Sequence, residues 1–118
     1  MTADNQFGNY LRNLRESREP LITQEKLGEL VSRNKMTINL IENGKNNPPK
    51  GELLEAFIKA LNLTDKEIIK FRDLAAIARG AVPSDILDYF NGNEALRNAI
   101  RRAKDKGLTN TDWEKLIK

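Results

Sequence analysis

The sequence predicts an all-α protein. Apolar residues recur at the helical spacing i, i+3, i+4, i+7 along the whole chain, as in Phe7, Tyr10, Leu11 and Leu14. Residues that cap helices precede these segments, and glycine or proline follows them. The sequence shows neither the alternation of apolar and polar residues that is typical of β-strands nor any repeat. We therefore expect helices and no sheet.

Five helices are predicted before Gly80, which is the clearest internal boundary. The first spans about residues 5–18, because Pro20 stops it. The starts of the next four are marked, in chain order, by Thr23, Asn34, the Pro48-Pro49 loop, and the capping box of Thr64 and Glu67. Beyond Gly80 we expect three more helices, at about residues 83–91, 93–106 and 110–117. Residues 1–80 are predicted to form one domain, and residues 81–118 a helical extension that serves dimerisation or partner binding.

The composition lowers the expectation of catalysis. The chain of 118 residues has neither cysteine nor histidine, so it lacks thiolates, the usual general base near pH 7 and the commonest metal ligand. We therefore expect no catalytic residues, no metal site and no cofactor. The net charge of +3 is too small to indicate a nucleic-acid partner by itself.

The sequence also carries no signal for a membrane. No apolar run approaches the roughly 20 residues that span a bilayer. The first residues, Met1 to Asn5, lack the features of a signal peptide. We expect a cytoplasmic protein.

The segment from Gln24 to Asn43 has the spacing of a helix-turn-helix. With Gln24 as position one, the small residue Gly28 is at position five and Ser32 is at position nine, in the turn. Ile38 and Ile41, at positions fifteen and eighteen, would anchor the third helix to the core.

The rest of the third helix then faces outward. This outward set consists of Lys35, Met36, Thr37, Asn39 and Leu40. Exposed Met and Leu side chains suit a DNA major groove, where they can contact thymine methyl groups. Lys35 could donate to guanine O6 and N7, and Asn39 could pair with adenine. The alternatives are that Lys35 and Asn39 are ordinary solvated residues, that Met36 folds onto the core, and that Leu40 packs on the next helix or a dimer partner.

Polar residues around this helix are candidates for binding phosphates. Gln24 lies at a helix N-terminus, and Asn43 and Lys45 follow the third helix. Thr23 and Thr37 complete the set of predicted phosphate contacts.

Three blocks of sequence resemble the Xre/Cro-repressor family. They are Leu11-Arg12-x-Leu14-Arg15-Glu16, Thr23-Gln24-Glu25-x-Leu27, and Thr37-Ile38-Asn39-Leu40-Ile41-Glu42-Asn43-Gly44-Lys45-Asn46-x-Pro48. The resemblance covers about residues 7–62 and implies a five-helix, repressor-like DNA-binding bundle. It also implies base readout by Lys35, Met36 and Leu40 with Asn34 and Asn39 beside them, phosphate contacts by Gln24, Thr37, Asn43 and Lys45, and an internal ion pair between Arg15 and Glu42.

The chain departs from the family at two positions. The family usually has alanine where this chain has Gly28, and glycine where it has Ser32. The segment containing Val82 to Ile86, Ala95 to Arg97 and Asp112-Trp113 is similar to an extension on some phage-related and mobile-element regulators.

These observations predict a transcriptional regulator, a repressor that binds operator DNA as a homodimer, although the motif permits activation equally. The main alternative is an antitoxin that neutralises a toxin protein through its C-terminal helices and represses its own operon. A third hypothesis is a protein-only adaptor that has lost DNA binding. Lys35 and Asn39 argue against it, because such an adaptor would favour acidic residues on the third helix.

Overall fold

The structure is a computed structural model that describes residues 5–117, and these residues form eight α-helices and no strand. The all-α prediction is therefore confirmed. The helices are α1 (Gln6–Glu16), α2 (Gln24–Leu30), α3 (Lys35–Glu42), α4 (Gly51–Leu61), α5 (Asp65–Arg79), α6 (Ser84–Asn91), α7 (Glu94–Lys106) and α8 (Asn110–Ile117). The predicted domain limits at residues 1 and 118, and the segment before Asn5, lie outside the described residues.

The chain divides into two compact units between Ser84 and Asp85. The first unit contains α1 to α5 and a core built from the apolar side of each helix. Phe7 and Phe71 join α1 to α5, with ring centroids 4.8 Å apart and an angle of 49° between the rings. Such a tilted arrangement is favourable for aromatic pairs. Phe57 and Leu61 bring α4 into the same core.

The helix boundaries follow the predicted capping residues closely. Thr23 and Asn34 each accept a hydrogen bond from the main chain three residues ahead, and Thr64 and Glu67 form the predicted capping box. The prediction for α1 was two residues too long at its C-terminal end, since the helix ends at Glu16. Beyond it, the Ser17 hydroxyl donates to the carbonyl of Leu14 at 3.0 Å, which satisfies a carbonyl of the last turn.

The spacing of Leu27, Leu30 and Val31 predicts one apolar face for α2, but this face is only partly buried. Leu27 and Val31 lie in the core, as predicted, but Leu30 is exposed. The prediction for Leu30 was wrong, because the buried side of α2 is the side that carries Leu27 and Gly28.

The second unit consists of three helices with little buried surface of its own. Asn93 caps α7 by accepting from the N–H of Leu96 at 3.0 Å, and Gly107 ends it with φ of +71°. Ala103 is buried, whereas the described residues of α6 and α8 are half-buried or exposed.

Candidate nucleic-acid interface

The turn between α2 and α3 brings the main chain close to α2. The Arg33 N–H donates to the carbonyl of Gly28 at 2.8 Å, and Ser32 adopts φ of +60°, in the left-handed region. A Cβ on Gly28 would lie 2.6 Å from the carbonyl oxygen of Arg33, which is main chain and cannot move cheaply. Glycine at this position therefore makes room for the turn.

One side of α3 is fixed in the core and the other faces solvent. Ile38 and Ile41 are buried. Lys35 and Met36 are exposed, and Met36 retains 62% of its accessible surface, so it does not fold back onto the core. Leu40 is half-buried. The helix therefore presents an apolar and a cationic side chain together at its N-terminal end.

The two N-terminal caps hold polar groups at the edge of this surface. Asn34 Oδ1 accepts from the Thr37 N–H at 2.8 Å and from the Thr37 hydroxyl at 3.0 Å. Thr23 Oγ1 accepts from the Lys26 N–H at 3.0 Å. Asn34 and Thr23 are exposed, and Thr37 is half-buried. The side-chain oxygens of both caps thus stabilise the helix starts, while the Asn34 amide NH2 group is not used in these bonds.

A buried carboxylate connects α1, α2 and α3. Glu42 accepts two bonds from Arg15, from Nε at 2.6 Å and from Nη2 at 2.9 Å, one from Gln24 Nε2 at 2.9 Å and one from Arg12 Nε at 3.4 Å. Arg15 also donates to the carbonyl of Ile22 at 3.0 Å. Its hydrogen bond to Glu42 raises the pKa of Arg15 above its usual range. The cluster fixes the end of α3 relative to both other helices.

The C-terminal end of α3 carries a second polar group. Asn43 Nδ2 donates to Asn39 Oδ1 at 3.1 Å, and Asn43 Oδ1 accepts from Arg12 Nη2 at 2.9 Å. Lys45 follows and is exposed. The structure thus joins the predicted base reader Asn39 to the predicted phosphate contact Asn43.

The sequence analysis did not predict a role in this site for two residues, Arg12 and Gly8. Arg12 lies on α1 but reaches the end of α3, and its side chain is 37% exposed. Its position three residues before Arg15 is the signal that could have identified it, since both then lie on one side of α1. Gly8 was missed because its importance is purely tertiary. A Cβ there would overlap the carbonyl oxygen of Glu42.

The chain belongs to a helix-turn-helix domain family, whose model matches residues 6–71. Comparisons with curated proteins and with solved structures give no match. The matched range contains α1 to α4, most of α5 and every residue of the surface described above. The family supports a DNA-binding regulator.

The described residues also lack two further features. None of their helices is long and apolar enough to cross a membrane. Within residues 5–117, no cluster of three or more His, Cys, Asp and Glu residues could hold a metal ion.

Proposed function

We propose that this protein is a cytoplasmic, sequence-specific transcriptional regulator of the Xre/Cro type that inserts α3 into the major groove of operator DNA. The observation that carries the proposal is the exposure of Met36 beside Lys35, on a helix whose opposite face is buried. A large apolar side chain in water gains nothing there, whereas in the major groove it can contact a thymine methyl group. Lys35 can donate to guanine from the same turn of the helix.

The contacts divide into those that read bases and those that bind phosphates. The proposed base readers are Asn34, Lys35, Met36, Asn39 and Leu40. The proposed phosphate contacts are Thr23, Gln24, Thr37, Asn43 and Lys45. The exposure of Lys45 and Asn43 after α3 supports their place on the rim, where phosphates flank the groove. Gln24 keeps one amide hydrogen for a phosphate, because its bond to Glu42 uses the other.

The regulator is proposed to act as a homodimer that represses by occupying the operator. One short helix reads only a few base pairs, so a second copy on a half-site about one helical turn away supplies the missing specificity. Residues 81–118 are proposed as the dimerisation segment. Their exposed apolar side chains, which include Ile86, Tyr89, Leu116 and Ile117, support this role.

Selection of bound sites from random duplex DNA tests the proposal. The protein should recover a preferred sequence, and its affinity should fall steeply with salt, because phosphate contacts release counterions. Lys35→Ala should lose about 1–3 kcal/mol on the preferred site and relax selectivity at one base pair. Lys45→Ala is the matched control and should weaken binding to all sequences about equally. Recovery of no preferred sequence, or a flat salt dependence, would refute sequence-specific DNA binding.

An antitoxin is the second candidate. The same exposed apolar side chains of α6 and α8 favour it, because such surfaces also bind other proteins. A small toxin gene next to the gene for this chain, with a stable complex of the two purified proteins, would support it. In that case the segment of residues 81–118 would bind the toxin rather than a second copy.

A further inference from the structure

A continuous path of hydrogen bonds runs from the buried carboxylate to the exposed face of α3. Arg12 Nε donates to Glu42 Oε1 at 3.4 Å, and Arg12 Nη2 donates to Asn43 Oδ1 at 2.9 Å. Asn43 Nδ2 then donates to Asn39 Oδ1 at 3.1 Å. The Arg12 guanidinium has donors only, so its bond to Asn43 sets the direction of the bond from Asn43 to Asn39.

The direction of these hydrogen bonds decides which groups of the Asn39 amide are free to bond a DNA base. A side-chain amide offers an oxygen that accepts and an NH2 group that donates. Arg12 holds the oxygen of Asn43, so Asn43 turns its NH2 group toward Asn39. One lone pair of the Asn39 oxygen is therefore engaged, while both hydrogens of its NH2 group are left to donate. Without Arg12, nothing in this path would oppose a rotation of the two amides that exchanges oxygen and NH2.

We propose that Arg12 is a positioning residue for base readout, which acts through Asn43 to hold Asn39 with its NH2 group toward the base. This proposal rests on the proposed function. It also changes the expected base. The adenine pairing expected from the sequence needs the Asn39 oxygen to accept a second bond, from adenine N6, while Asn43 already donates to it. Guanine presents two acceptors, N7 and O6, so it needs only the NH2 group.

The fold should not depend on Arg12, because the other hydrogen bonds of Glu42 do not involve it. Glu42 keeps both bonds from Arg15 and the bond from Gln24 when Arg12 is removed. The Arg12 side chain is partly exposed, at 37%, so its loss opens no buried cavity. Arg12 variants should therefore fold, which their thermal melting checks.

Site selection with a set of full-length variants tests the proposal. Asn39→Ala first identifies the base pair that Asn39 reads, which should carry guanine in the wild-type site. Arg12→Ala should reduce the preference for guanine over adenine at that base pair by roughly tenfold. Asn43→Ala, which interrupts the path without removing a charge, should have the same effect. The preference at the base pair identified by Lys35→Ala should not change.

Arg12→Lys is the control that separates position from charge. Lysine keeps the positive charge but lacks the planar fork that bonds Glu42 and Asn43 together, so its preference should fall as it does in Arg12→Ala. A preference retained in Arg12→Lys would assign the effect to charge and overturn the proposal. Uniform weakening in Arg12→Ala with an unchanged preference, or adenine in the wild-type site, would overturn it as well. A wild-type protein with no preferred sequence would instead refute the proposed function on which it rests.

Discussion

At Ser32 the backbone holds a conformation that suits glycine. Its φ of +60° places the Cβ close to a main-chain carbonyl, at a cost of about 1–2 kcal/mol in residues other than glycine. Replacing Ser32 with glycine would remove this cost. Glycine loses more conformational entropy on folding, however, which offsets part of the gain in stability. We expect Ser32→Gly to raise the free energy of unfolding by about 0.5–1 kcal/mol, as measured by urea denaturation.

Ser17→Gly provides the matched control. Ser17 ends α1 with φ of −89°, where a serine is not strained. Its replacement by glycine should therefore destabilise the protein, since it adds chain entropy to the unfolded state and removes the bond to Leu14. If Ser32→Gly were destabilising too, the turn would not be strained in solution.

At the scale of the helices, the attachment of α3 to α1 depends on the Arg15–Glu42 ion pair. Both residues are buried, so removal of either one leaves the other short of partners away from water. Arg15→Met or Glu42→Leu alone should cost roughly 3 kcal/mol or more. The double variant should cost clearly less than the sum, which urea denaturation of all four proteins in a double-mutant cycle measures.

An exposed pair provides the comparison for this cycle. Arg72 bonds Glu55 through two hydrogen bonds, of 2.5 Å and 2.9 Å, but Glu55 is 54% exposed. Its cycle should give a coupling of only about 1 kcal/mol or less, because water screens the pair. Equal couplings in the two cycles would argue that the burial of Glu42 does not govern its energetics.

The elements show which parts of the structure the sequence can predict. Caps and stops are local, so Thr23, Asn34, Thr64 and Gly80 gave helix boundaries to within about two residues. The exposure of Leu30 and the roles of Gly8 and Arg12 depend on which helices meet in space, which no local pattern specifies. The base and phosphate contacts remain predictions. The structure adds to them the bonds of Asn39 to Asn43 and of Gln24 to Glu42.

At the scale of the whole molecule, the second unit carries several exposed large apolar side chains. A unit of this size buries too little apolar surface to be stable by itself, and Ile117, Tyr89 and Leu116 are all exposed. We expect the full chain to sediment as a dimer and a chain without residues 81–118 to sediment as a monomer. The deletion begins after Gly80, which ends α5, so it removes none of the first five helices.

A point variant in the full-length chain supports this test. Leu116→Asp places a charge on an exposed position and should dissociate the dimer without unfolding the protein. Lys115→Asp, one residue earlier and also exposed, is the control that should still dimerise if only the apolar contact matters. A folded chain ending at Gly80 that dimerises at the same concentration would exclude the segment as the interface.

The contact of Gly8 with the carbonyl of Glu42 helps to position α3, and it involves none of the residues on the exposed face of that helix. The end of α3 rests on α1 main chain against main chain, because Gly8 has no side chain to separate them. The position of α3 on α1 is thus set by Gly8 and by the Arg15–Glu42 pair, all of which are buried. Lys35 and Met36 are exposed and take no part in that support. Under the proposed function, DNA specificity can therefore change through Lys35 and Met36 while the geometry of the scaffold stays the same.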